Sequence, residues 1–227
     1  MRLEQAVGFT GSYNFVPERY KVGEELRDSL VGNGFEVGVH GLNHDGKYFT
    51  SREIWEERAT TINRYIEEWK SVGFRMPSMQ HNLAWMHDLK IEYDASTFDT
   101  DPFEPQSDGA GTIFPFWVSS GNGNSGYVEM PYTLPQDFTL FIILKQKSID
   151  IWKKKLDWIA SKGGMALLLV HPDYIKTSDG RCGTEEYPLK FYADFLRFVR
   201  DNYKGEYYHV LPRDLAKFWN ENYRNPR

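Results

Sequence analysis

Glu36-Val37-Gly38-Val39-His40-Gly41-Leu42-Asn43-His44-Asp45 sets two histidines four apart directly behind a short apolar run. Glycines at 38 and 41 argue against a helix through the pair, since each costs roughly 1 kcal/mol relative to alanine in a helix interior. A strand that turns into a loop at His40 fits better. Far downstream, Leu167-Leu168-Leu169-Val170 runs into His171-Pro172-Asp173 in the same way. Where strands alternate with helices, such strand ends form the rim on which chemistry is built. The pattern suggests a metal held by His40 and His44, with His171 facing it as a proton donor. Imidazole ligates divalent ions and is the side chain whose proton moves near neutral pH. The competing reading keeps all three as histidines hydrogen-bonded within loops. A His-x-x-x-His pair alone does not separate the two.

The flanking sequence alternates in element type. Strands are expected at Val7 to Val16, Phe35 to Val39, Phe74-Arg75, Ile91 to Asp94, Leu140 to Leu144, Met165 to Val170 and Tyr207 to Leu211. Between them lie helical patterns. One carries Val22, Leu26 and Leu30 and stops at Gly32-Asn33-Gly34. The next starts at Thr50-Ser51-Arg52-Glu53, a capping box, and carries Ile54, Trp55, Ile62, Ile66 and Trp69. Shorter or later ones cover Asn82 to Leu89, a Ser148-capped segment through Ile159, Tyr187 to Tyr203, and Arg213 to Tyr223. Phe98 to Gly126 is long and rich in Pro, Gly, Asp and Ser, with a hairpin expected around its end. Alternation of this kind implies parallel βαβ units, hence an α/β barrel or a doubly wound sheet, in one domain spanning 1–227.

Composition removes several function classes. The net charge is −5 and the basic residues are scattered, so no nucleic-acid footprint is expected. A single cysteine, Cys182, excludes an internal disulfide or a cysteine zinc cage. No run reaches the roughly 18 apolar residues of a membrane span. Met1 to Gln5 lacks a signal pattern, which makes the cytoplasm the default location.

Other residues carry two readings each. Arg75 follows an apolar position, and a buried arginine needs a carboxylate, structural or catalytic. Asp94 ends its strand in the same manner, while Asp99 and Asp101 are more often turn formers. His81, His87 and His209 read as structural or exposed. Trp85, Trp117 and Tyr174 line either a substrate groove or the core.

Together these segments resemble the polysaccharide deacetylase family, carbohydrate esterase family four. His40-Gly-Leu-Asn-His44 matches its metal motif, Phe74-Arg75-Met76-Pro77 its Arg-x-Pro groove wall, and Leu167-Leu-Leu-Val-His171-Pro172 its last motif. The resemblance implies a deformed (β/α) barrel of seven or eight strands and removal of N- or O-acetyl groups from a carbohydrate. It implies a divalent metal on His40 and His44, zinc by default and otherwise cobalt, nickel or manganese. His171, Arg75 and Asp94 would then be catalytic, and Pro77, Trp85, Trp117 and Tyr174 would contact substrate. The family opens with a strand ending in two aspartates, a base and a third ligand. Here no aspartate precedes Asp28. The expectation is a barrel lacking that first strand, with a weakened metal site, no general base so that the chain as given is inactive, and unpaired edges prone to self-association. Two rival readings are a non-catalytic carbohydrate-binding protein and a metal-dependent hydrolase of another non-peptide C–N bond.

Overall fold

The computed structural model describes residues 1–100, 109–121 and 125–223. Its centre is a six-stranded sheet. Strand β1 (Ser12–Phe15) pairs in parallel with β2 (Glu36–Val39), Ser12 opposite Glu36 and Phe15 opposite Val39. Two very short strands continue the parallel order, β3 (Gly73–Phe74) and β4 (Tyr93–Asp94). The hairpin β5 (Phe116–Ser119) and β6 (Gly126–Glu129) closes the row, with β6 parallel to β4 and antiparallel to β5. Gly73 permits the β3–β4 approach: a Cβ there would lie 2.0 Å from the Tyr93 ring.

Helices α1 (Arg2–Val7), α2 (Glu24–Gly32) and α3 (Arg52–Trp69) accompany the first strands. Helix α3 begins because Ser51 Oγ accepts from the Ile54 amide at 3.3 Å, a cap of about 1 kcal/mol. Its Trp55, Ala59, Ile62 and Ile66 recur at helical spacing and are buried against Val37, Val39 and Phe74. Burying a residue such as Ile62 contributes roughly 2 kcal/mol, so this seam anchors β2 and the loop that follows it. Helices α4 (Asp150–Ser161) and α5 (Leu189–Asn202) form a second core around Trp152, Phe141, Tyr187 and Phe195. A two-stranded parallel pair, β7 (Ile175–Lys176) and β8 (Tyr187–Pro188), and helix α6 (Pro212–Asn222) complete the fold.

Four expectations are corrected. Leu140 to Leu144 is not a strand: Phe138–Ile143 forms a π-helix. Its Thr139, Leu140, Phe141 and Ile142 are all buried, and an apolar run buried on every side has no period to distinguish strand from helix. Met165 to Val170 is not a buried strand. It makes one isolated parallel bridge, Leu168 to Leu134, and Ala166 is exposed. Tyr207 to Leu211 forms no strand, and Tyr208 is 81% exposed. The first strand contracts to Ser12–Phe15 because Arg2–Val7 is helical and Gly8 ends that helix with φ of 86°. Consequently the sheet is open, with β1 and β5 at its margins, and no closed barrel forms among the described residues.

Candidate active site

Strand β2 delivers His40. Its backbone amide donates to Phe15 O at 2.8 Å, extending the β1–β2 ladder by one step. Its Nδ1 lies 2.9 Å from Arg75 O, and a carbonyl can only accept. Nδ1 therefore carries the proton, and Nε2 keeps a free lone pair. Burial, foremost, lowers the His40 pKa to about 3. The neutral imidazole is the form that ligates a metal.

The chain then turns at Gly41, where φ is +63° and a Cβ would meet Tyr48 Oη at 2.4 Å and Pro77 Cδ at 2.7 Å. The wholly buried Tyr48 hydroxyl holds this turn. It accepts from the amides of Leu42 (2.7 Å) and Asn43 (3.1 Å) and donates to Asn43 O (2.5 Å). Arg58, on α3, packs over the Tyr48 ring and grips Asp45 with two bonds of 2.8 and 2.7 Å. The turn brings the His44 ring to 5.8 Å from that of His40, edge to face. His44 is more open to solvent, yet partial burial and the charge of Arg19 also favour its neutral form.

His171 lies within electrostatic reach of this pair. Its charge, when present, depresses the pKa of both His40 and His44, so the three imidazoles share one electrostatic neighbourhood. Asp137, fully buried, fixes His171 from behind. Each oxygen of this carboxylate accepts two donors. Oδ1 takes His171 Nδ1 at 2.7 Å and the Phe138 amide at 2.8 Å. Oδ2 takes the His171 amide at 2.8 Å and the Tyr187 hydroxyl at 3.0 Å. With Nδ1–H committed to Asp137, His171 Nε2 is the nitrogen left to carry a proton toward a ligand. The Tyr174 ring lies 5.4 Å from that imidazole and 5.1 Å from Phe138.

Arg75 and Asp94 are close to this rim, and Arg75 forms no ion pair with a carboxylate among the described residues. Arg75 is 7% exposed, and its Nε has no hydrogen-bond partner among the described residues. Burial pulls its pKa down, while Tyr93, Asp94, Glu129 and Tyr132 support its charge. Asp94 is tied to Glu129, its register partner on β6. Asp94 Oδ1 accepts from Ser96 at 2.5 Å, and Glu129 Oε1 from Thr97 Oγ1 at 2.6 Å and the Thr97 amide at 3.0 Å. The remaining oxygens have only each other. Two ionised carboxylates there would repel, so one proton between them satisfies both. Burial raises Asp94 to about 6 and Glu129 well above its ordinary value.

The remaining candidates distribute unevenly. Pro77 packs on Gly41 beside His40, and Tyr174 lies beside His171. Trp85 instead packs against Phe49 and under Arg52, and Trp117 lies beside Gly126 in the β5–β6 hairpin. His209 accepts from the Thr10 amide at 3.0 Å, His87 lies 3.2 Å from Ser119 O, and His81 Nδ1 lies 3.0 Å from Met79 O. Asp99 pairs with Lys155 at 2.5 Å, and Asp101 lies outside the described residues. Sequence reasoning missed Asp137, Tyr187, Glu129 and Tyr48. The Asp137 position in Pro135-Gln136-Asp137 follows no periodic element, and nothing local announces a partner that lies far along the chain.

No family model matches the chain, and no curated relative matches it in sequence. Solved structures do. A protein from Mycobacterium smegmatis assigned as a polysaccharide deacetylase superposes with a TM-score of 0.71 at 18% identity, covering 100% of this chain and 77% of that one. The fold is that of the polysaccharide deacetylases. The PuuE allantoinase superposes with a TM-score of 0.65 at 14% identity, over 99% of this chain and 72% of that one. A protein from Pseudomonas aeruginosa PAO1, also assigned as a polysaccharide deacetylase, gives 0.60 at 15%, over 88% and 64%. No helix of the described residues is long and apolar enough to cross a membrane.

Two of the side chains that the resemblance assigns to a divalent ion, His40 and His44, lie side by side here. His40 Nε2 is free, both imidazoles favour the neutral form, and the rings are close enough to converge on one ion. No group of three His, Cys, Asp or Glu side chains forms among the described residues, and Asp45 is spent on Arg58. The described residues therefore fall short of the three protein ligands usual for a catalytic ion.

Proposed function

We propose that this chain is a hydrolase of non-peptide C–N bonds, removing acetyl groups from amino sugars of a polysaccharide. The observation that carries the reading is His171, backed by a buried aspartate and within electrostatic reach of two neutral imidazoles. In this reading His40 and His44 hold a divalent ion, most simply zinc, together with a ligand that the described residues do not supply. Such an ion, when bound, supplies Lewis acidity toward an acyl oxygen and a water. His171 Nε2 protonates the departing amine, and Asp137 keeps that nitrogen aimed outward by holding Nδ1–H. Pro77 and Tyr174 flank the acyl group, and Arg75, whose backbone O holds His40 Nδ1–H at 2.9 Å, positions that imidazole.

The test is release of acetate from N-acetylglucosamine oligomers with zinc, cobalt, nickel or manganese added in turn. Turnover in the parent chain and its loss in His171→Ala, with oligomer binding retained, is the expected result. Binding without turnover in either protein would instead establish a carbohydrate-binding protein. The likeness to an allantoinase justifies one further substrate, a cyclic ureide. Cleavage of that compound alone would keep the bond class and overturn the sugar.

A further inference from the structure

Asp137 draws a third residue into the His171 arrangement. The Tyr187 hydroxyl donates to Asp137 Oδ2 at 3.0 Å, in a setting where both groups are almost wholly sealed from water. The ring is clamped by Phe141 at 4.6 Å and stacked beside Phe191 at 6.5 Å. The backbone reinforces the link. Tyr187 begins β8, whose partner β7 starts at Ile175, just beyond the His171-Pro172-Asp173-Tyr174 turn. The two-stranded pair thus ties the turn bearing His171 to the residue that touches its carboxylate.

We propose that Tyr187 is a positioning residue that acts through Asp137, fixing the orientation of His171 and lowering the pH at which its imidazole releases a proton. This rests on the reading of His171 as the proton donor. A hydroxyl donor on Oδ2 disperses charge that Asp137 would otherwise direct at the imidazolium. Burial, then Asp137 itself, keeps the phenol protonated, so it remains a donor at every working pH. The other charged or titratable groups around the arrangement include His40 and His44, Tyr174 beside His171, Asp173 and Glu185, which act on Tyr174, and Tyr192, which feels the Asp137 charge. None of these is hydrogen-bonded to Asp137 among the described residues, and Tyr187 is a side chain through which the carboxylate can be tuned without being removed.

The experiment is an NMR titration of the His171 ring in the full chain, without substrate. Tyr187→Phe is expected to raise the midpoint by roughly half a pH unit, the scale of one lost hydrogen bond. Asp137→Asn should lower it, because the negative charge behind the imidazolium is gone. An unchanged midpoint in folded Tyr187→Phe overturns the proposal. A second measurement needs no variant: in the parent chain the Tyr187 ring carbon signals should titrate with the His171 midpoint, and signals flat across that range overturn it. Neither readout uses turnover. A shift in the titration with no hydrolysis of any acyl amide would leave the Tyr187–Asp137–His171 link standing and sink the hydrolase reading.

Discussion

The two histidine-bearing rims are built by different means. His40 continues a parallel ladder: β1 and β3 flank β2, and α3 seals the strand with Trp55 and Ile62. His171 follows a segment that makes a single bridge and stays half-exposed. What the ladder does for His40, one buried carboxylate with four donors does for His171. Backbone pairing spreads the placement of a side chain over many weak bonds. A buried polar hub concentrates it in one residue, and satisfied networks of that kind define a unique geometry while tolerating little loss.

The sharpest break between the rims should come from Asp137→Ala. It leaves two amides, an imidazole N–H and a phenol without their shared acceptor at a fully buried position. We expect destabilisation of about 4 kcal/mol in urea unfolding. A loss under about 1 kcal/mol would mean that the bridge at Leu168 already holds this rim. On the His40 rim the sensitive residue is a backbone pivot. Gly41→Ala forces a Cβ into Tyr48 Oη and Pro77 at positive φ and should cost about 3 kcal/mol. His40→Ala should cost far less than either, since its ladder bonds are main-chain. Equal losses for His40→Ala and Gly41→Ala would contradict the distributed picture.

The same contrast explains what could be read from the sequence. The β2 rim was legible because its signals are local. Apolar residues precede His40, glycines mark the turn, and Ser51 with the Trp55 to Trp69 spacing specifies α3. The apolar run before His171 marks the second rim but does not reveal how it is built. Burial of Leu167 to Val170 would need neighbours on both sides, and the described residues give one bridge. The π-helix at Phe138–Ile143 hid behind an equally apolar run. Asp137 and Glu129 were invisible because what marks them is a partner across the fold: His171 for one, the β4–β6 register for the other. Arg75 shows the limit of a sound rule. A buried arginine does call for a carboxylate, yet the adjacent pair of carboxyls satisfies itself.

A smaller effect belongs to the Asp45–Arg58 grip on the His44 turn. Its side chains are 33% and 17% exposed, so solvent screening leaves about 0.5–1 kcal/mol despite the two-bond geometry. The Arg58 hydrogen bonds, first, lower the Asp45 pKa from 3.8 to about 2. A depressed native pKa contributes stability that is present above about 3.8 and lost as the pH falls through about 2. Asp45→Asn should therefore be less stable than the parent at pH 6, with the gap closing toward pH 2. A gap independent of pH would assign the cost to packing and remove the ion pair from the account of this turn.

The smallest effect at any single pH, and the most diagnostic in slope, is expected from Glu129→Gln. The Asp94–Glu129 pair holds its proton above the ordinary 3.8 and 4.5 of its members, chiefly through burial. The native state thus binds more protons than the unfolded chain just above pH 4, and the sign follows. The pair's contribution is fully present below about 3.8 and declines as the pH rises through 6, where native Asp94 titrates. Glutamine keeps the shape of Glu129 and supplies Asp94 with an amide donor in place of the shared proton. Its stability near pH 5 should lie within about 1 kcal/mol of the parent, while the decline between pH 5 and 8 flattens. An unaltered decline would place the responsible proton elsewhere. A loss of several kcal/mol at pH 5 would mean that Glu129 is ionised and paired with Arg75, making the β3–β6 side a charge-held rim like the one around Asp137.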